Sequence, residues 1–414
     1  MSVNRRYTVI VDPYSSGAML GSAFRDQGVL PIAVTTSVVP PEVYAQSWMP
    51  SAYDTVVVYD KSVPDIVERL RALDPLCVIP GAESGVELAD ELASALTPHL
   101  ANVPSLASSR RHKMCMGEAV SAAGLPHIRQ ICTNNVADVQ DWIKREGLSS
   151  QALVLKPPKS AGTDGVIKVE SSRDWLPSFR ALLGQRNKLG GTNDEVLVQE
   201  FITGDEYVVD TFSYHGIHTV TDICRYRKVV NAEHIAVYDS LEFLPSDCTV
   251  HSELIDYTFG VLDALGVRFG PAHSEIMLTA SGPRLIETGV RMHGGGHPEF
   301  CRLATGDSQL DRTVAFYIGN GPIRTDFTLT RKVMVIFLIA RARGIVRNSE
   351  IFAAASRLAS HYKSVISVKN GDRVVKTSDL FTALGFIVLA HERPNQVFAD
   401  CRTVKDMENA LVID

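Results

Sequence analysis

Glu275 and Glu287 stand six residues either side of Ser281, in the runs Ala272–Leu278 and Arg284–Thr288, which read as two strands. A hairpin centred on Ser281 makes them cross-strand partners on one face. Two carboxylates facing each other among Ile276, Met277, Leu285 and Ile286 repel and are partly desolvated, which destabilises the pair unless something compensates. A hard divalent cation removes that penalty, and Mg²⁺ is commonly held by one or two carboxylates plus substrate phosphates. Two glutamates on an exposed sheet face are the alternative; the apolar neighbours favour the metal. Arg291, four residues on, can reach the same phosphates or a developing oxyanion.

A second constellation lies upstream. Lys156 ends an apolar strand and is followed by Lys159-Ser160-Ala161-Gly162-Thr163-Asp164-Gly165 and another apolar run. A hairpin with such a small-residue tip lets backbone N–H groups approach phosphate oxygens. It is not a P-loop, which needs G-x-x-x-x-G-K-[ST] opening a helix, and an ordinary hairpin with a floppy tip fits it equally. In Glu195–Asp210, Gln199-Glu200-Phe201-Ile202 could offer backbone groups to a planar base, and Glu206 could accept from ribose hydroxyls; solvated hairpin carboxylates are the plainer alternative. Glu83, in the loop 80–85, could hold a substrate ammonium or simply cap the helix that follows. His293-Gly294-Gly295-Gly296-His297 is no hydrolase oxyanion loop, since the chain has no G-x-S-x-G. Its glycines also argue against a helical zinc pair. The loop suits close ligand approach, with His293 a possible substrate contact, though both histidines could equally be structural.

These residues must be carried by more than one core, because 414 residues exceed the usual domain size. Short apolar runs alternate with helical stretches up to about residue 100, giving a parallel sheet with crossover helices. Its first loop, Asp12–Gly17, lacks G-x-G-x-x-G, which argues against a nicotinamide cofactor. Beyond residue 205 the strands take on hairpin character. Leu183–Asp194 is Gly/Asn-rich and reads as a mobile surface loop, and Ser349–Tyr362 reads as a helix. A net charge of −6 gives no footprint for nucleic acid. Seven scattered cysteines without a Cys-x-x-Cys pair suit reduced thiols in a cytoplasmic protein. The longest late apolar run, Val333 to Ala340, falls far short of the ~20 residues of a membrane helix.

The helix-borne Lys113, Lys156 with its Ser-Ala-Gly-Thr-Asp-Gly loop, Gln199-Glu200-Phe201-Ile202 with Gly204-x-Glu206, and Glu275…Glu287-x-x-x-Arg291 occur in one order. That order resembles the ATP-grasp superfamily of carboxylate–amine ligases, over roughly residues 75–300. Within it, His273-Ser274-Glu275 and Glu287-Thr288-Gly289-Val290-Arg291 look most similar to the L-amino acid ligases, which make dipeptides, often for peptide antibiotics. The resemblance implies an α/β ATP-grasp fold with three parts. These are a Rossmann-like parallel-sheet domain (1–104), a core (105–315) with a lid subdomain at about 127–202, and a C-terminal α+β subdomain (316–414).

It also implies residue roles. Lys113 and Lys156 would contact ATP phosphates under a lid of Ser160, Ala161, Gly162, Thr163 and Gly165. Gln199, Glu200, Phe201 and Ile202 would surround adenine, and Glu206 would bind ribose. Glu275 and Glu287 would hold Mg²⁺, with Mn²⁺ able to substitute. Lys156 and Arg291 would act in catalysis, and Glu83, His273, Arg291, His293 and Gly294 would contact substrate. Gly289 stands where many members have a metal-binding Asn. The implied enzyme, a cytoplasmic homodimer, joins small-molecule carboxylate and amine substrates, with amino acids the expected pair, through an acyl phosphate, with no nucleic-acid or membrane partner. The alternatives are a ligase with another acceptor amine and a non-catalytic ATP-binding regulator.

Overall fold

The β-branched run at the N-terminus forms the strand Arg6–Val11, buried on both faces as a parallel strand must be. In the computed structural model, which describes residues 5–231, 234–246, 249–319 and 323–414, it lies inside a four-stranded parallel sheet. The order is Thr55–Val58, Val29–Thr35, Arg6–Val11, Val78–Pro80. The strand's period of two divides its side chains between two cores. Val9 and Val11 pack with Leu88 and Leu92 on one face, and Ile10 packs with Leu20 and Phe24 on the other. The loops after the first and last strands touch backbone to backbone. A Cβ on Gly17 would lie 2.2 Å from the Gly81 carbonyl oxygen, so only glycine fits there.

A second sheet is antiparallel, ordered Gln130–Thr133, Val196–Glu200, Leu153–Lys156, Ile167–Val169. Trp142 of helix Val136–Arg145 and Phe179 of helix Trp175–Leu182 seal one face of it.

The third sheet has eight strands, in the order Gly282–Gly289, Gly270–Thr279, Asp205–Tyr214, Ile217–Asn231, His234–Leu244, Lys332–Phe337, Gly385–His391, His361–Ile366. Met116 and Val120 of helix Lys113–Ala122 pack with Leu254 and Val261 of helix Thr249–Ala264 against one face. Tyr226, Tyr238, Phe243 and Phe300 fill part of the other. The last three strands therefore extend the sheet that carries the glutamate hairpin.

One reading of the sequence needs correction. Ser349–Tyr362 is not one helix. Ser349–Arg357 forms a 3-10 helix, Leu358 turns extended, and His361–Ile366 pairs with Gly385–His391 at the sheet edge. Pairing with a distant strand there outweighs local helical preference. Leu183–Asp194 does lie at the surface, most of it exposed, and has bonds of its own: Arg186 bridges Thr192, and the Asn187 side chain accepts from the Leu189 and Gly191 amides, both at 3.1 Å. Six of the seven cysteines are free thiols, and Cys248 lies outside the described residues. No helix among the described residues is long and apolar enough to cross a membrane.

Candidate active site

Glu275 and Glu287 are register partners in the hairpin, as the spacing implied, but for a different reason. Thr279 pairs with Gly282, so the turn is the two residues Ala280 and Ser281, and regular pairing from it would set Glu275 opposite Ile286. A bulge at Ile286 shifts the register and brings Glu287 across. Glu275 is buried and Glu287 half-buried. Burial alone would raise both pKa values. For Glu275 the hydrogen bond from His273 and the charge of Lys228 override it, and for Glu287 the Lys113 ammonium does, so both stay ionised below the usual carboxylate range.

Lysines answer these charges. Lys113 Nζ lies 2.7 Å from Glu287 Oε2 and donates to the Ser160 carbonyl at 3.1 Å, tying its helix to the loop 159–165. Lys156 ends its strand inside the protein; desolvation, reinforced by the Lys113 charge, lowers its pKa to about 8. Lys228 pairs with Glu206 at 2.6 Å and lies 4.3 Å from the Tyr238 ring centroid. From the sequence, Lys228 opens a stretch, Lys228–Ser240, that could line an acceptor site; its pairing with Glu206 is not legible there. Lys228 alternates with buried Tyr226 along a strand, which was the available signal. Two ionised carboxylates with lysines as counter-charges form a hard-oxygen donor set that fits Mg²⁺ or Mn²⁺.

The linker after Lys156's sheet is held by side chains. Glu200 accepts from the Arg129 amide and guanidinium, each at 2.9 Å, and Gln199 donates to Gln130, which in turn donates to the Lys113 carbonyl at 3.0 Å. The Glu200 and Phe201 amides are bonded to the Arg129 and Ala152 carbonyls. Of these three consecutive amides that leaves Ile202 for the edge of a base, while Lys168 lies over the Phe201 ring at 4.3 Å. The Gln199 and Glu200 side chains are thus engaged by Gln130 and Arg129.

The histidines turn inward. His273 Nδ1–H and His293 Nδ1–H donate to the two oxygens of buried Asp210, both at 2.8 Å, and His297 Nε2 lies 3.2 Å from Asp210 and 3.0 Å from Asp222. Their rings form a column with centroids 3.9 and 3.8 Å apart. Burial disfavours charge on His273, but Asp210 and Glu275 prevail and raise its pKa to about 9. His273 thus orients Glu275, and His293 accepts from the Tyr226 hydroxyl at 3.0 Å. Asp210, more than sixty residues upstream of all three histidines, had no local signal. The Gly295 and Gly296 amides donate to Ser15 and Ser16, each at 3.0 Å, placing the glycine loop beside the N-terminal sheet; a Cβ on Gly294 would lie 3.4 Å from Ser15 Oγ.

Glu83 faces arginines. Arg291 Nε is 3.0 Å from one carboxylate oxygen and Arg111 Nη1 is 3.5 Å from the other, all three residues being largely buried. Arg291 Nη1 donates to the Met292 carbonyl at 3.1 Å. Both contacts of Glu83 are ion pairs whose angles fall short of hydrogen bonds, so among the described residues Glu83 Oε2 and Arg111 Nη1 are paired in charge and keep their hydrogen-bonding directions for a ligand. Arg111 was not singled out by the sequence reading.

An ATP-grasp domain family matches residues 149–298. Dapdiamide A synthase of Enterobacter agglomerans is 28% identical over 417 residues, covering 98% of this chain and 96% of that protein. The L-arginine-specific L-amino acid ligase of Bacillus subtilis is 23% identical over 186 residues, 45% of this chain and 44% of that one. The crystal structure of an L-amino acid ligase from Bacillus licheniformis superposes with a TM-score of 0.75 at 16% identity, covering 99% and 98% of the two chains. Those similarities join the Lys113–Lys156–Glu275–Glu287 constellation in one conclusion: residues 149–298 carry an ATP-grasp domain, and the chain is an enzyme similar to ATP-using carboxylate–amine ligases that form C–N bonds.

Proposed function

We propose that the protein joins the carboxylate of one amino acid to the amine of a second through an acyl phosphate, releasing ADP and phosphate. It would thus be a dipeptide synthetase of the kind that serves peptide antibiotic biosynthesis. The carrying observation is the facing pair Glu275 and Glu287, with Lys113 on one carboxylate and Arg291 four residues further on. The full-length similarity to a dapdiamide synthase supports the reading, and the free thiols suit a reducing, cytoplasmic setting.

In the first step a substrate carboxylate oxygen attacks the γ-phosphorus of ATP; the new O–P bond forms as the bond to the β-phosphate oxygen breaks, and ADP leaves. Lys113 and Lys156 would hold the phosphate oxygens, with the 160–165 loop closing over them. Glu275 and Glu287 would hold Mg²⁺, which when bound neutralises charge on those oxygens. Lys228 is the counter-charge that keeps Glu206 positioned for ribose. In the second step the amine attacks the acyl carbon, the bond to phosphate breaks, and the departing phosphate takes the ammonium proton. Arg291, oriented by Glu83, would steady the tetrahedral oxyanion. Closure of the loop keeps water from the acyl phosphate.

The test is a coupled assay of ADP and phosphate with Mg²⁺–ATP and all pairs of the twenty L-amino acids, with masses of the products. ADP, phosphate and a new dipeptide mass are expected together. AMP and pyrophosphate, or ADP formation indifferent to any amine with no amide product, overturn the reading.

A further inference from the structure

The tip of Leu183–Asp194 is held from three directions. Asn187 donates to the Lys159 carbonyl at 3.3 Å and the Lys188 amide donates to Asp164 at 2.7 Å, so the segment is bound to the loop that covers the phosphate site. The Lys188 ammonium pairs with Asp379 at 2.5 Å and lies 5.3 Å from the Phe381 ring centroid, on the C-terminal part of the chain. Phe381 also abuts the loop itself: a Cβ on Gly162 would come within 2.8 Å of its ring. Leu189, the next residue along, packs into the cluster of Tyr14, Tyr44 and Ala82 in the N-terminal unit. Lys159 adds an ion pair to Glu87 there at 2.6 Å.

That cluster adjoins the place where an acid would be activated. Ala82 precedes Glu83. Burial raises the Tyr44 phenol to about 12, with Arg291, Glu83 and Arg111 close enough for their charges to act on it. Tyr14 is fully buried, and its hydroxyl has no hydrogen-bond partner among the described residues. Half-buried Leu189 thus brings an apolar side chain to a cluster that adjoins Glu83 through Ala82 and Tyr44, with the unanswered Tyr14 hydroxyl buried in the same cluster.

We propose that Leu189 determines which acid is activated. The 183–194 segment closes together with the 159–165 loop and sets Leu189 and Tyr14 against the acid's side chain. The preferred acid then has an apolar side chain of moderate length with one hydrogen-bonding atom at its far end. The proposal rests on the acyl-phosphate ligase reading and names its acid. Because Leu189 arrives with the cover, side-chain fit and exclusion of water are coupled: an acid whose side chain is too large for the space under Leu189 keeps the cover from latching.

The experiment compares wild type, Leu189→Ala, Leu189→Trp and Tyr14→Phe over amino acids graded by side-chain length and polarity, with ATP and with hydroxylamine as the amine, so that the hydroxamate reports acid activation whatever the natural acceptor. Roughly tenfold per mismatched methylene is the scale of such a pocket. Leu189→Trp is expected to lose tenfold or more in kcat/KM for long side chains and to spare glycine and alanine. Leu189→Ala is expected to move the optimum to larger acids, and Tyr14→Phe to lower only acids with a polar tip, with KM for ATP unchanged throughout. An equal loss for every acid, or an unchanged order of preference, overturns the proposal. Thermal stabilisation by each acid beside a non-hydrolysable ATP analogue reads the same pocket without turnover. Wild type that is stabilised selectively yet makes no hydroxamate sinks the ligase reading alone, and variants whose selectivity matches wild type sink the assignment of Leu189.

Discussion

Glu83 and Arg291 meet in the space that a side chain at position 289 would fill: a Cβ on Gly289 would lie 2.7 Å from Glu83 Oε2 and 3.0 Å from the Arg291 guanidinium carbon. The departure of Gly289 from the Glu-x-Asn pattern is therefore linked to the N-terminal unit, whose carboxylate occupies that volume. Gly289→Asn is expected to displace Arg291 and lower amide formation by ~10²-fold, the cost of roughly an ångström of misplacement, with no gain in Mg²⁺ affinity. Steady-state rates across a Mg²⁺ titration check this. A variant with wild-type turnover and tighter metal binding would show that the volume is free.

Glu287→Gln removes one of the two facing charges and with it the counter-charge that lies 2.7 Å from Lys113. Turnover is expected to fall ~10²–10³-fold, the usual size of losing one charge-stabilising group. A chelator is expected to stop the wild-type enzyme, and added Mg²⁺ or Mn²⁺ to restore it.

Lys156 gives a pH signature. Its pKa in the folded protein is about 8, below the ~10.4 of an unfolded chain. Between those values the unfolded chain binds more protons, so this residue's contribution makes stability rise with pH across that window. Phosphate oxygens brought beside Lys156 favour its charged form. ATP binding at pH 8 is therefore expected to take up on the order of half a proton. Calorimetry in buffers of different ionisation enthalpy measures the uptake, which should vanish in Lys156→Met; equal uptake in that variant would assign the proton elsewhere.

Asp210 is the carboxylate on which three buried histidines converge. Removing one partner of a buried charged pair costs about 3–5 kcal/mol, so Asp210→Ala is expected to lower the denaturant midpoint clearly and to loosen Glu275 through His273. A loss of turnover without loss of stability would show that Asp210 is not the centre of this network.

What the sequence made legible was local. The hairpin bearing Glu275 and Glu287, the strand end at Lys156 and the parallel N-terminal unit all follow from short-range periodicity, and their order carried the family resemblance. What stayed hidden depended on partners far along the chain. The bulge at Ile286 sets a register that spacing reached through the wrong turn. Asp210 decides where His273 and His293 point, and Arg129 and Gln130 occupy the side chains of Glu200 and Gln199. The polar, glycine-rich composition of Leu183–Asp194 marks a solvent-facing loop, and most of it is exposed; what composition cannot show is its anchors, Asp379 and the Tyr14–Tyr44 cluster, separated from it by well over a hundred residues.

The continuous eight-stranded sheet has a practical consequence. Lys332–Phe337 supplies the outer hydrogen bonds of His234–Leu244 through the pairs Ser240–Ile336, Leu241–Val335 and Glu242–Met334. A chain cut after residue 331 would present those groups unpaired along an otherwise well-formed sheet, an invitation to self-association. The ATP-grasp stretch 149–298 is accordingly a poor unit for excision or domain exchange, and the final eighty or so residues act as its solubilising border.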